Sequence, residues 1–142
     1  HSWERDMLTL VFCLRRRPEL SREEFQRYWR ENHGPLMKSN MQAFDARKYQ
    51  QWHTMGGPDA DRIMYSRGGS DDYDGVAVVW WDDLAHFVAA TGTDDGRVAG
   101  REMYKDELNF IDLENSPIFM TEVGYEATGV GGTDGADGAA SL

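Results

Sequence analysis

The chain is short of cysteine, of positive charge and of long apolar runs, and each shortage excludes something. A single cysteine, Cys13, among 142 residues leaves no disulfide framework or thiolate metal centre to build within one chain. It suits a reducing compartment, and a cytoplasmic location is expected. Basic residues number 15 against 25 acidic ones, for a formal charge of −10. Such a chain repels phosphates, so nucleic acid is not an expected partner. No apolar run approaches the ~20 residues of a membrane span, and no membrane partner is expected. The opening "HSWERDML" lacks the apolar core of a signal peptide and, starting with His, reads as trimmed or tagged. The four histidines show neither H-x-H nor H-x-x-x-H spacing, so no metal is expected. "SRGGSDD" lacks the Gly-x-x-x-x-Gly-Lys spacing of a phosphate loop and is rich in acids, so no nucleotide or flavin cofactor is expected either.

What the chain has in plenty is aromatic surface: five Trp and six Tyr in a length that suits one domain. Their ring N–H and O–H groups need polar partners when buried, and such a composition suits a cavity for a flat apolar ligand.

"MLTLVFCLRRR" (7–17) reads as a strand whose apolar residues run on without alternation, which means cover on both faces. Ser21 and Glu24 form an S-x-x-E capping box, and Leu20 can staple to Phe25, so a helix starts there. Phe25, Tyr28, Trp29, Asn32 and His33 fall on one face of it, and Gly34-Pro35 is expected to end the helix or kink it into a further turn. "FDARKYQQWHTM" (44–55) reads as a second strand, with Tyr49, Gln51 and His53 on one side and Lys48, Gln50 and Trp52 on the other. Residues 56–74 read as a loop with a short helix around 63–65, and "GVAVVWW" (75–81) as a third strand, apolar on both faces. Asp82 or Asp83 caps a helix through "LAHFVAAT". The "GTDDG" stretch interrupts it, a second helical piece runs through "GREMYKDELNFIDL", and "SPIFMTEV" (116–123) is the fourth strand. Residues 1–124 then form the domain and the Gly-, Ala- and Asp-rich 125–142 a flexible tail.

The order β-α-β-β-α-β is the ferredoxin-like, split βαβ pattern of an α+β fold with an antiparallel sheet. Helices cover one sheet face. With none left for the other, a second copy's sheet is the expected cover, giving a homodimeric α+β barrel.

"LRRRPELSREEFQRYWRENHGPL", "RKYQQWH", "YDGVAVVWWDDLAHF" and "DELNFIDLENSPIFMTEV" together resemble the EthD family, a branch of the dimeric α+β barrel proteins, over residues 8–123. The resemblance implies a small-molecule pocket and an activity drawn from a scattered set: lyase steps, isomerisation or cyclisation, cofactor-free monooxygenation, haem- or oxygen-using chemistry, or a non-catalytic accessory role in degradation. It favours a lyase (elimination, decarboxylation or dehydration) on an apolar, oxygenated, aromatic or polyketide-like substrate, without a cofactor.

The candidate site follows from side-chain chemistry. His33 ends the apolar stripe of the first helix. Its imidazole either points into a cavity as general acid or base, or caps the carbonyls of the last turn. His53 and Tyr49 share a strand face and could supply the complementary proton, or His53 lies in water at the strand end. Tyr28, Trp29, Gln51, Trp80, Trp81 and Phe110 are candidate substrate contacts in a chamber expected between the two sheets. Trp80 and Trp81 lie on opposite strand faces, so only one of them can face it. Glu107 or Asp112 could orient an imidazole, while Asp106 reads, like both of them, as a solvated or capping carboxylate.

Overall fold

The computed structural model describes residues 7–131. Its first strand, β1 (Leu8–Leu14), runs into helix α1 (Arg22–Tyr28), whose start is the capping box: Ser21 Oγ accepts from Glu24 N, and the Glu24 carboxylate accepts from Ser21 N. Gly34-Pro35 does not end the helix. The chain passes through a π-helical turn (Trp29–His33) straight into α2 (Gly34–Phe44). Proline is tolerated because it stands in the first turn of α2, where its missing N–H takes no bond from the ladder. The π turn also aligns the buried stripe. Four residues of α-helix overshoot one turn by about 40°, and the wider π turn falls short of one, so Phe25, Trp29 and His33 stack along one line. All three are buried.

Asp45, with φ of 54°, closes α2 in the left-handed conformation that Asp tolerates. The second strand, β2 (Lys48–His53), therefore begins after Phe44 rather than at it. Helix α3 (Pro58–Tyr65) occupies the stretch expected to be mostly loop. Strand β3 (Gly75–Trp81) follows, and Asp83 caps α4 (Leu84–Thr91). Thr93 caps the next helix, α5 (Asp94–Glu107), so the expected interruption stands at Gly92 and Thr93, and the second helix starts within "GTDDG" rather than after it. A single 3₁₀ turn (Leu113–Asn115) leads to β4 (Ile118–Thr121). Residues 122–131 contain no helix or strand, and the remainder of the tail expected to be flexible lies outside the described residues.

The four strands form one antiparallel sheet in the order β2-β3-β1-β4, which is the ferredoxin-like arrangement expected. Register sorts the side chains. Leu10, Val79 and Tyr49 are aligned across three strands, as are Phe12, Ala77 and Gln51, and these rows face the helices. On that face Leu14, Ala77, Phe25, Trp29, Phe110 and Ile111 form one buried cluster, and Met37, Phe44, Val79, Trp81, Ala99 and Met103 form another. The opposite face carries Val78 and Trp80, packed with Met7 and both buried within the single chain. The Lys48 ammonium lies 4.7 Å above the Trp80 ring. Trp52 and Phe119, on the same face but towards the sheet edges, stay about half exposed at 52% and 47%.

Candidate active site

Between the helices and the helix-facing side of the sheet lies a cavity of about 440 Å³. Leu10, Phe12, Val79 and Trp81 form its floor, Met37, Phe87 and Met103 its roof, and Trp29, His33, Tyr49 and Glu107 bring polar groups to it. It lies within one subunit. The chamber expected between two copies' sheets is therefore not where these residues meet: a continuous apolar strand shows that both faces are covered, not which cover leaves a gap. The difference sorts the tryptophans. Trp81 lines the cavity, with its indole N–H donating to Phe44 O at 2.7 Å, while Trp80 faces away on the other side of the sheet.

His33 ends the π turn with its ring against Phe110, centroids 4.9 Å apart. Its Nδ1 is 2.6 Å from Asp106 Oδ2, and Tyr28 donates its hydroxyl to Asp106 Oδ1, also at 2.6 Å. Asn109 Nδ2 approaches the same Tyr28 oxygen at 3.2 Å. Burial lowers the His33 imidazole below its usual value against the opposing pull of Asp106. Burial raises the Asp106 carboxyl, but the hydrogen bonds from Tyr28 and His33 outweigh it and hold the acid below its ordinary range. The two shifts agree on one state at neutral pH: Asp106 is ionised, and neutral His33 donates its Nδ1–H to it. The ring's other nitrogen, Nε2, then carries a lone pair, as a general base requires. The orienting carboxylate is thus Asp106, not Glu107 or Asp112. Asp112 accepts from Asn115 Nδ2 at the 3₁₀ turn, away from the imidazole.

A second relay runs along β2. Gln51 Nε2 donates to Trp29 O at 2.8 Å and to the Tyr49 hydroxyl oxygen at 2.9 Å, and Gln51 Oε1 lies 2.8 Å from His53 Nε2. A carbonyl only accepts, so the amide nitrogen must face Trp29 and the amide oxygen must face His53. His53 Nε2 therefore carries a proton. The Tyr49 oxygen already accepts, leaving its own O–H free to donate into the cavity. Gly34 permits this wiring, since a Cβ there would sit 3.1 Å from Gln51 Nε2. His53 stacks on Trp29, ring centroids 4.4 Å apart, and does not reach the cavity wall; nor do Gln51, Tyr28 and Phe110. They instead touch groups that line it: His53 and Gln51 contact Trp29, Gln51 contacts Tyr49, and Phe110 packs on His33. Burial pushes the Tyr49 hydroxyl up, against hydrogen bonds from Gln51 and Trp29.

Glu107 follows Asp106 but projects into the cavity, where burial and then the charge of Asp106 push its carboxyl up to about 7. Among the described residues, no group of three or more His, Cys, Asp or Glu side chains is placed to hold a metal ion. No helix there is long and apolar enough to cross a membrane.

Comparison with known proteins places the fold. The protein resembles a crystallised EthD family protein of Bacillus halodurans (21% identity, 82% of this chain and 97% of that one, TM-score 0.54). It also resembles the hydroxynitrile lyase of Passiflora edulis (9% identity, 87% and 98%, TM-score 0.57). A third likeness is to a dimeric ferredoxin-like protein of unknown function from Thermobifida fusca (13% identity, 82% and 90%, TM-score 0.50). At these identities the likeness is one of fold. No curated protein matches the sequence significantly. The EthD domain family itself matches residues 17–114, a span that holds the His33–Asp106 pair, the β2 relay and most of the cavity wall, and the chain belongs to the EthD family.

Proposed function

We propose that this protein is a small-molecule enzyme of the lyase type, working by proton transfer inside the helix–sheet cavity without a cofactor. The observation that carries the reading is the His33–Asp106 pair: an imidazole kept neutral, fixed in one tautomer by an ionised carboxylate, and set in the wall of a largely apolar chamber. In this scheme His33 Nε2 takes a proton from a substrate O–H or C–H. The electron pair released drives out a leaving group, and the proton is handed on to that group. Tyr49 donates its hydroxyl hydrogen to the oxygen on which charge develops, held in place by Gln51. Trp29 and Trp81 confine a flat apolar ligand. The fold accommodates such chemistry, since one neighbour of the same fold is a hydroxynitrile lyase.

A non-catalytic accessory protein would use the same cavity. Four titratable side chains, His33, Tyr49, Tyr104 and Glu107, line one chamber, and this favours the enzyme. A homodimer belongs to the proposal as well: half-exposed Trp52 and Phe119 lie on the sheet face that the helices leave free, and a fold neighbour is dimeric. The test is turnover of cyanohydrins and β-hydroxy ketones by the wild type and by His33→Gln. A loss of about 10²–10⁴-fold in kcat is expected; unchanged turnover by the variant rejects His33 as the base.

A further inference from the structure

The proton-transfer scheme leaves one part-buried acid unused. Glu107 reaches the cavity from the last turn of α5, and among the described residues no hydrogen bond or ion pair holds its carboxyl. The wall around it includes neither lysine nor arginine. Its ionisable neighbours are His33 from the π turn, Tyr49 from β2, and Tyr104 and Asp106 from α5.

We propose that Glu107 sets the charge of the ligand: the cavity admits uncharged, largely apolar carbonyl or hydroxyl compounds and rejects carboxylates. Two physical terms point the same way. An anion entering this chamber loses its hydration and meets no cation in return. It also meets a carboxyl that, if ionised, repels it, and that already feels the charge of Asp106. A neutral ligand with a carbonyl or hydroxyl oxygen incurs neither penalty. It can accept a hydrogen bond from the protonated Glu107, a form well populated near neutrality because the acid is pushed up to about 7. The inference rests on this cavity being the substrate site, as proposed above. Among lyase steps it favours elimination from neutral substrates and disfavours decarboxylation of an ionised acid.

The test compares two probes of nearly equal shape, acetophenone and benzoate. Binding is followed through the indole N–H resonances of Trp29 and Trp81, which line the cavity. At pH 8 acetophenone should bind saturably and benzoate at least about thirty-fold more weakly. In Glu107→Gln that ratio should shrink at least about fivefold, with acetophenone affinity little changed. In the wild type, lowering the pH to 5.5, where benzoate is still ionised, should shrink the ratio in the same direction. The variant should show no such pH effect, which separates Glu107 from His33. Should that variant fold poorly, the same pH series on His33→Gln separates the two groups, and the shrinkage should persist there. Equal binding of the two probes at pH 8 overturns the inference, as does a ratio insensitive both to pH and to the substitution, or a folded wild type that binds neither probe. No turnover enters the measurement. A His33→Gln protein that still discriminates, but loses no activity against wild type, would sink the catalytic scheme and leave the charge selection standing.

Discussion

Asp106→Asn isolates the contribution of a single charge with almost no change of shape. In the wild type the carboxylate accepts two hydrogen bonds of 2.6 Å, from Tyr28 and from His33, and the side chains of His33 and Asp106 are only 8% and 17% exposed. Charge-assisted bonds of this kind contribute about 1.5–3 kcal/mol each. An asparagine offers one oxygen and must turn its NH₂ towards one of the two donors, so one bond is lost and the other weakened. A loss of about 2 kcal/mol at pH 7 is expected, or roughly 5–8 °C in Tm for a domain of this size. The pH dependence is more telling. A carboxyl held below its ordinary value contributes stability that is complete above its unfolded pKa and is lost as pH falls through the folded one. A histidine pushed down by burial behaves in the same sense: the native state resists protonation, so stability falls as pH drops below the unfolded value of about 6.5. In the wild type Asp106 offsets part of that penalty by facing the imidazolium. In the variant nothing does. The stability gap between the two proteins should therefore widen from pH 8 to about 5, then close below about 4 as the wild-type carboxyl protonates. Urea unfolding followed by tryptophan fluorescence measures it. A gap that stays constant from pH 8 to 3, or narrows towards pH 5, refutes the pairing argued for the site.

The remaining tests are independent of that pair. Gly75→Ala would put a Cβ 2.3 Å from Trp29 Cζ3 and 2.8 Å from Trp52 O, so a loss of about 3 kcal/mol or more is expected by denaturant unfolding; a loss under 1 kcal/mol would contradict the packing around Trp29. Gln51→Leu frees the Tyr49 hydroxyl and strands the His53 proton, and should lower kcat about tenfold with KM within about twofold in the assay above. A rise in KM alone would make Gln51 a binding residue. Ser21→Ala removes the hydroxyl from the capping box and should cost about 1 kcal/mol of stability without altering turnover. Phe119→Asp should shift sedimentation from dimer towards monomer, while a wild type that sediments as a monomer at micromolar concentration removes the homodimer from the proposal.

Much of the fold was legible because its signals are local. The capping box, the two-face apolar strands and the alternation along "KYQQWH" each depend on neighbours within a few residues, and each stands in the structure where the pattern places it. Element ends were less legible. Asp45 in the left-handed region and Thr93 as a cap are decided by which backbone groups happen to find partners nearby. The π turn leaves little trace in the sequence beyond Gly34-Pro35, since a π turn and a kink accommodate the same dipeptide.

The site was legible in its residue types but not in its pairing. Tyr49, Gln51 and His53 share a face by strand parity alone, whereas the choice between Asp106 and Glu107 depends on rotation about α5. Adjacent helical residues point about 100° apart, so one carboxyl meets His33 and the other meets the cavity. Nothing within α5 says which, because the answer is fixed by how α5 leans on the π turn, a contact between residues 73 positions apart. The same rotation gives two neighbouring acids opposite chemistry: Asp106, supplied with donors from Tyr28, His33 and Asn109, is held ionised, and Glu107, supplied with none among the described residues, is pushed towards its neutral form. Exchanging the two residues would leave composition and charge unchanged and a carboxyl at each position, so position on α5 rather than residue type decides which acid is held ionised. In this protein the chemistry of the pocket is written in the angle of one helix.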